Sequence, residues 1–455
     1  MINNPIKLDR MRSVAQGIVA RLQKGGYTAL FAGGCVRDVL LGLPPKDIDI
    51  VTSAEPEIVQ ALFARTIPVG AQFGVIRVLE QGCEFEVATF RADGKYLDGR
   101  RPESVAFSTP EQDAQRRDFT INGLFYDPVA VRVIDYVDGR ADLQRRLIRA
   151  IGEPERRFEE DRLRLLRAVR FSTTLQFTVE PATWAAVCRQ AAEITVVSAE
   201  RIRDELNKIL TDPHRVDGLD GLEASGLLAV LLPEVQAMRG CQQPPQFHPE
   251  GDVYVHTRLM LSLLAPDAPL LLVWAVLLHD IGKPVTQTFD PAADRIRFNG
   301  HDRVGADMAA GILNRLRFSN EETAVVVEAV RNHMVFKDVQ EMRASRLRRF
   351  MARPHFALEL ELHRVDCLGS HGDVSNHTFL QEKAQELAAE PLIPPPLVTG
   401  HDLIALGLKP GPQFREILEA VQTSQLEGGV RTRAEALDLV RPWLQPARLS
   451  PPGQP

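Results

Sequence analysis

Asp47 and Asp49, in Lys46-Asp47-Ile48-Asp49-Ile50, are carboxylates two residues apart, the spacing suited to phosphoryl transfer with two metal ions. Side chains alternate along a strand, so residues two apart leave the same face and both carboxylates can grip one pair of Mg²⁺ ions. Just upstream, the strand-like run Thr28 to Ala32 feeds Gly33-Gly34-Cys35-Val36-Arg37-Asp38, and a helix is expected over Val36 to Leu41. A bare-backbone turn at a helix N-terminus presents N–H groups to phosphate. The two elements together in one short unit point to phosphoryl transfer. Glu84 and Glu86 share one face of a strand expected beside the Asp47–Asp49 strand, and Glu86 is the candidate third metal ligand, with Glu84 the alternative.

The elements that must position these residues follow from composition. With 455 residues and 44% hydrophobic content, the chain can bury several cores, so more than one domain is expected. The formal net charge is −6, so a polyanionic partner would meet local patches: Arg156 to Arg170, and Arg343, Arg346, Arg348, Arg349 and Arg353. For the second patch a solvated helical face is an equal reading. Five cysteines, widely spaced and without a Cys-x-x-Cys pair, argue against a disulfide framework or a thiolate zinc site and fit a reducing cytoplasm. Met1 to Arg12 lacks the apolar core of a signal peptide. The apolar run Ala268 to Leu278 is too short to span a membrane, for which ~20 residues are needed, and reads as a buried helix.

Up to about Gly139 the pattern alternates strands and helices. Lys46 to Val51 reads as a strand, Pro56 to Ala64 as a helix entered through a Thr52/Glu55 capping box, and Val75 to Glu80 with Cys83 to Phe90 as a hairpin around Gln81-Gly82. From Asp142 apolar residues recur at helical spacing and strand signals become rare. Breaks are expected near Asp212-Pro213, around Gln242 to Pro249, and at a stiff Pro391 to Pro396 linker. Leu449 to Pro455 reads as frayed. The turn Thr399 to Pro412 either offers backbone N–H groups to an RNA phosphate or simply connects two helices.

Several motifs occur in the order seen in one family: Gly33 to Asp38, Lys46 to Asp49, Arg116-Arg117-Asp118-Phe119-Thr120-Ile121-Asn122, Glu160-Asp161-Arg162-Leu163-Arg164 through Arg170-Phe171, and Glu200-Arg201-Ile202-Arg203-Asp204-Glu205-Leu206. In these motifs the chain resembles the bacterial class II tRNA nucleotidyltransferase and poly(A) polymerase family, of the polymerase-beta-like superfamily. The resemblance implies an α+β fold: a nucleotidyltransferase head with a mixed sheet and helices, followed by an all-helical neck, HD and tail region. The segments are then 1–139 (head), 140–215 (neck), 216–385 (HD) and 386–455 (tail). It also implies catalysis at Asp47, Asp49 and an acid such as Glu86, with Mg²⁺ as the head's cofactor. Gly33, Gly34, Arg37, Arg117, Asp118 and Asn122 would bind the nucleotide's phosphates and ribose; arginine suits phosphate because its planar fork bonds bidentately. Asp161, Arg164, Arg167 and Arg170 would meet the base.

Asp161 and Arg164 are read as lying three apart on one helix and sharing a face. A carboxylate accepts from an exocyclic amino group while a guanidinium donates to the adjacent ring nitrogen. Cytosine and adenine offer that pair; uracil and guanine do not. The loop Arg91 to Ser108, rich in Gly and charge, is expected to help set specificity.

A second constellation comprises His256, His279-Asp280 before Ile281-Gly282-Lys283-Pro284, His301, His333 and Asp366. It resembles the HD superfamily of metal-dependent phosphohydrolases, whose core ligands are His, His-Asp and a distant Asp. The resemblance makes His256, His279, Asp280 and Asp366 that core, with His301 and His333 as further ligands of two-metal members. Imidazole with carboxylate suits a divalent transition metal.

The expected function is addition of C and A to the tRNA 3′ end from CTP and ATP, with release of pyrophosphate and a second phosphohydrolase activity in the HD region. Poly(A) polymerase, or partial CC-only or A-only addition, is the enzymatic alternative. The family's poly(A) polymerases tend to have basic C-terminal extensions and no HD segment, unlike this chain. The non-transferase alternative is an HD phosphohydrolase or RNA-binding protein, against which Asp47, Asp49 and the nucleotide motifs argue. No membrane partner is expected, and the sequence does not set the oligomeric state.

Overall fold

The computed structural model describes residues 5–70, 74–93, 105–246, 248–388 and 390–444. The middle of the Arg91–Ser108 loop and the stretch Leu449 to Pro455 lie outside the described residues. The chain forms two compact units, one of Met1–Ala237, Ala265–Leu270 and Ile312–Phe318, the other of Met238–Leu264, Leu271–Gly311 and Ser319–Pro455.

The first unit opens on a sheet. Its strands are β1 (Ala29–Ala32), β2 (Asp49–Thr52), β3 (Thr66–Gly70), β4 (Val75–Glu80), β5 (Cys83–Thr89), β8 (Leu124–Asp127) and β9 (Arg132–Asp135), while β6 (Arg91–Asp93) and β7 (Val105–Phe107) pair separately. The order is β3-β4-β5-β2-β1-β8-β9, with β2 and β5 parallel and the other neighbours antiparallel. β1 is buried along its whole length, as a continuous apolar run at the centre of a sheet should be. Leu30, Val51, Phe90, Ala114 and Phe125 form a core beside it. The β4–β5 hairpin closes through Gln81 and Gly82, both at positive φ (48° and 77°), which matches the twist of a two-residue turn.

Helices Pro154–Glu160, Leu163–Leu175, Pro181–Gln190, Ala199–Leu210 and Arg215–Ala224 follow in this unit. In the second unit the helix Leu270–Leu278 is buried from Leu272 onward, as expected for a segment apolar on every side. No described helix is long and apolar enough to cross a membrane. Helices Gly400–Ala405, Pro412–Leu426 and Arg433–Leu444 close around Leu403, Ile417, Val421 and Val440.

Several local readings need correction. β2 begins at Asp49, not Lys46: its ladder with β1 starts at the pair Ala32↔Asp49, where β1 ends, and its ladder with β5 at Ile50↔Val87. Asp47 therefore precedes the strand. The next helix is Pro56–Leu62, with Glu55 as its N-cap and Pro56 at its first position. The Thr52/Glu55 capping box is absent, since Thr52 ends β2 and its hydroxyl accepts from the Ala54 N–H. The helix after the glycine turn is Gly34–Leu40. Beyond Asp142 the chain is helical as expected, with only short pairs such as Thr288–Asp290 with Arg295–Arg297.

Candidate active sites

β1 delivers the chain to Gly33 at φ 73°, a left-handed conformation that side chains resist. A Cβ there would also lie 2.9 Å from Arg117 Nη1 and displace that guanidinium. Asp49 starts the neighbouring strand. The parallel register Ile50↔Val87 sets Asp49 level with Glu86, which favours Glu86 over Glu84 as the third acid. Arg77 reaches both glutamates, at 3.6 Å to Glu84 and 3.7 Å to Glu86.

Asp49 is exposed in surface area yet hemmed in by protein around its carboxyl. Its pKa is pushed up to about 6, first by burial, then by the charges of Asp47 and Glu86, with Arg117 pulling the other way. An acid held above its ordinary value is one whose ionised form the fold does not satisfy, and a divalent cation among Asp47, Asp49 and Glu86 would supply the missing positive charge. The residues thus fit a metal, although among the described residues the acidic and imidazole sets that bring ligand atoms within 4.8 Å of one another all lie in the second unit.

This has a measurable consequence. Between the ordinary carboxyl value of 3.8 and about 6, folded Asp49 binds more protons than unfolded, so its contribution to stability falls as pH rises through that window. In EDTA, Asp49→Asn should therefore gain stability over the parent as pH rises from about 4 to 7, read by denaturant unfolding. Mg²⁺ should shrink the gap, and a pH-independent difference would contradict the raised Asp49 carboxyl.

An arginine network lies beside the acids. Arg37 donates to Asp38 Oδ1 (2.9 and 2.7 Å) and to Asn122 Oδ1 (2.7 Å), Asn122 donates to Asp118 Oδ1 (3.0 Å), and Arg167 donates to Asp118 Oδ2 (2.7 Å). Asp118 is buried, which alone would raise its pKa, yet Arg167, Asn122 and Arg164 hold it well below the usual range. Arg117 is fixed by Asp113 Oδ2 (3.2 and 3.0 Å) and by the Asn122 carbonyl (3.3 Å). Arg170 pairs with Glu205. The ring of Phe171 lies under Arg37, Arg167 and Arg170, with guanidinium carbons 5.1, 5.2 and 3.9 Å from its centroid.

The structure corrects the geometry expected of Asp161 and Arg164. They do not share a helix: Pro154–Glu160 ends at Asp161, whose φ of −147° is extended, and a new helix starts at Leu163. The Asp161 carboxylate accepts the Leu163 N–H (3.1 Å) and so favours this break over continued helix. Arg201 donates to both its oxygens (3.2 and 2.8 Å). Arg164 donates to Glu160 (2.7 Å) and to the Arg157 and Arg116 carbonyls (2.7 and 3.0 Å).

The second unit gathers every sequence-expected HD residue. His279, His301 and His333 each point Nδ1 at a backbone carbonyl, of Val276 (2.8 Å), Phe298 (2.8 Å) and Val330 (2.5 Å). Those carbonyls fix the proton on Nδ1 and turn the Nε2 lone pairs inward. His301 Nε2 and His333 Nε2 then face each other at 3.1 Å, and the buried His279 Nε2 lies 3.0 Å from Asp280 Oδ2. The facing lone pairs of His301 and His333 repel unless a cation lies between them. Asp280 Oδ1 is 3.4 Å from His301 Nε2 and 3.8 Å from His333 Nε2, and His256 Nε2 is 3.1 Å from Asp366 Oδ1. Burial pushes His333 down to about 4, leaving it neutral and able to coordinate at ordinary pH. The donor set fits a transition metal.

Sequence reasoning missed the supporting residues. Glu250 accepts from His256 Nδ1 (2.7 Å) and contacts His248 Nδ1 (2.9 Å), and Lys283 donates to Asp280 Oδ2 (2.6 Å). Asp113, fully buried under Arg116 and Arg117, was legible from its i+3 and i+4 spacing to them. Glu250 carries no such signal, because a loop rather than a helix brings it to His256.

Three family models match the chain: the Poly A polymerase head domain over residues 29–149, the probable RNA and SrmB-binding site of polymerase A over 176–238, and the HD domain over 252–362. An A-adding tRNA nucleotidyltransferase from Deinococcus radiodurans is 36% identical over 437 residues, covering 92% of this chain and 96% of the relative. The CCA-adding enzyme of Geobacillus stearothermophilus is 46% identical over 218 residues, but the match spans only 54% of that protein. The crystal structure of the Bacillus stearothermophilus CCA-adding enzyme in complex with CTP superposes with a TM-score of 0.71 at 27% identity, covering 94% of this chain and 97% of that one. A Thermotoga maritima CCA-adding enzyme complexed with tRNA shares the fold at a TM-score of 0.61 and 18% identity.

Proposed function

The chain belongs to the tRNA nucleotidyltransferase family, and from that premise we propose that it adds C and A to the 3′ end of tRNA from CTP and ATP. The observation that carries this reading is the raised Asp49 carboxyl, facing the charges of Asp47 and Glu86, beside the Arg37–Asn122–Asp118–Arg167 network. The segments are assigned as head 1–139, neck 140–215, HD region 216–385 and tail 386–455, working in the cytoplasm where tRNA is processed.

In this mechanism the 3′-hydroxyl of the RNA attacks the α-phosphorus of the incoming nucleotide, a P–O bond forms, and the bond to pyrophosphate breaks. Arg37 and Arg117 neutralise the triphosphate, with Gly33 and Gly34 letting it approach the backbone. Asp118 and Asn122 orient Arg37 and Arg167 and meet the ribose. Asp47, Asp49 and Glu86 would hold Mg²⁺, which when bound supplies charge neutralisation and activates the attacking oxygen. For base choice, Asp161 keeps about one acceptor site beyond those that Arg201 and the Leu163 N–H use, since a carboxylate offers about four. Arg201 thus becomes a positioning residue, and Arg164 must release part of its present bonding to donate to a base. Arg167 and Arg170, stacked on Phe171, flank this pocket.

The full-length similarity to an A-adding enzyme favours a second reading, addition of the terminal A alone to tRNA already ending in CC. Incubation with tRNA lacking CCA, tRNA ending in CC, and an unrelated RNA, with each nucleotide singly and together, separates the readings. Full addition predicts C and A incorporation on the first substrate; A-only addition predicts incorporation on the second alone. In the same assay Asp161→Ala should lower discrimination against UTP and GTP by about tenfold or more, because wrong bases are rejected by polar groups left unpaired. A variant with parental selectivity would place selection elsewhere.

The HD unit is proposed to bind a divalent transition metal through His256, His279, Asp280, His301, His333 and Asp366, and to hydrolyse phosphoesters.

A further inference from the structure

The HD residues open onto a cleft of about 400 Å³, within the range of ~300–1,000 Å³ common for small-ligand sites. Asp280, His301, His333 and Asp366 line it together with the strand Arg295–Arg297 and the following Phe298 and Asn299; that strand is paired on its other side to Thr288–Asp290. Three cations line the space: Lys283, Arg295 and Arg297. Two are already committed. Lys283 Nζ donates to Asp280 Oδ2 (2.6 Å) and Gln243 Oε1 (2.7 Å), and Arg297 Nε donates to Asp290 Oδ2 (2.6 Å). Asp290, although the cross-strand partner of Arg295, spends its carboxylate on Arg297. Among the described residues no acid pairs with Arg295.

We propose that Arg295 is the anion-binding residue of this cleft, engaging non-bridging oxygens of a substrate phosphate whose reacting side faces the histidine–aspartate cluster. The proposal rests on the phosphohydrolase reading and adds its recognition residue. A guanidinium on a half-buried hairpin presents a planar fork that matches phosphate bidentately, and its partial removal from water strengthens that bond. The hairpin's own pairing supplies the rigidity: Thr288↔Arg297, Phe289↔Ile296 and Asp290↔Arg295 hold the strand that carries it. Aspartates lining the cleft would repel an anion, so a cation among the lining residues is what a phosphate-binding cleft of this composition needs.

The test uses the full chain with Mn²⁺ and inorganic phosphate as probe, measured by calorimetry. Phosphate binding lost in Asp280→Asn defines the share belonging to the cleft, separately from the head. Arg295→Met should weaken that share by about tenfold or more while bound Mn²⁺ is unchanged, and Arg295→Lys should restore part of it. Kinetics with a phosphomonoester should show a raised KM and a nearly constant kcat. Parental phosphate affinity in Arg295→Met, or no cleft-dependent phosphate binding in the parent, overturns the proposal. Cleft-dependent binding that falls in Arg295→Met, without hydrolysis by the parent, sustains Arg295 and rejects the hydrolase reading instead.

Discussion

Asp49→Ala or Asp47→Ala is expected to lower nucleotide addition by about a thousandfold or more with the fold intact. Metal ions contribute several kcal/mol to charge stabilisation in phosphoryl transfer, and each ~1.4 kcal/mol is a factor of ten in rate. A single remaining carboxylate cannot hold two ions for in-line displacement. The fold should tolerate either change because both residues are exposed by surface area, and loss of Asp49 also removes a carboxyl whose charged form the fold disfavours. Burial is the first cause of the raised Asp49 carboxyl and the Asp47 charge the second, so Asp47→Ala should lower the Asp49 value only in part. The measurement is single-nucleotide incorporation into tRNA, with tRNA affinity and thermal unfolding as controls. Near-parental incorporation by either variant would remove the assignment of this head as the transferase site.

The head was legible in the sequence where local chemistry sets the structure. Gly33, the Gln81-Gly82 turn and the alternating pattern of Cys83 to Phe90 act within a few residues, and each forms as expected. Asp47 was misjudged because strand length depends on a partner: Ala32 ends β1, and that limit lies outside the Asp47 motif. Asp161 and Arg164 failed for a similar reason. Spacing alone allowed one helix, but Asp161 ends the first helix, accepts the Leu163 N–H at the break and is anchored by Arg201, some 40 residues later. The stacking of Arg37, Arg167 and Arg170 on Phe171 joins residues from two parts of the unit, and no short pattern announces it. In the HD region the ligand types were readable and their helices follow apolar periodicity. The residues that orient them, Glu250 and Lys283, arrive from a loop and a short helix turn.

His279→Ala should lose transition-metal binding in the HD unit by at least about a hundredfold and remove any phosphoester hydrolysis, while CTP and ATP addition continues at the parental rate. Outer partners of metal ligands are already worth 10–100-fold in affinity or activity, and a direct ligand should cost more. The head and HD residues belong to different compact units, so the two losses should separate. Asp280 needs a gentler substitution. Its carboxylate is buried against Lys283 Nζ at 2.6 Å, and alanine would strand that ammonium, at a typical cost of about 3–5 kcal/mol for a broken buried pair. Asp280→Asn keeps the shape and an acceptor oxygen for Lys283, so it tests ligation with less damage to folding. His333→Ala offers a third view: it deletes one of the two imidazoles whose Nε2 atoms face each other at 3.1 Å, which relieves their repulsion in metal-free protein and weakens the metal-bound state. Metal-free His333→Ala should therefore lose less stability than deletion of a buried side chain usually brings, and added Mn²⁺ should stabilise it less than the parent. Metal content by mass spectrometry and unfolding with and without Mn²⁺ read both effects. Full metal retention in His279→Ala and Asp280→Asn would make the cluster a structural core of hydrogen-bonded imidazoles rather than a metal site.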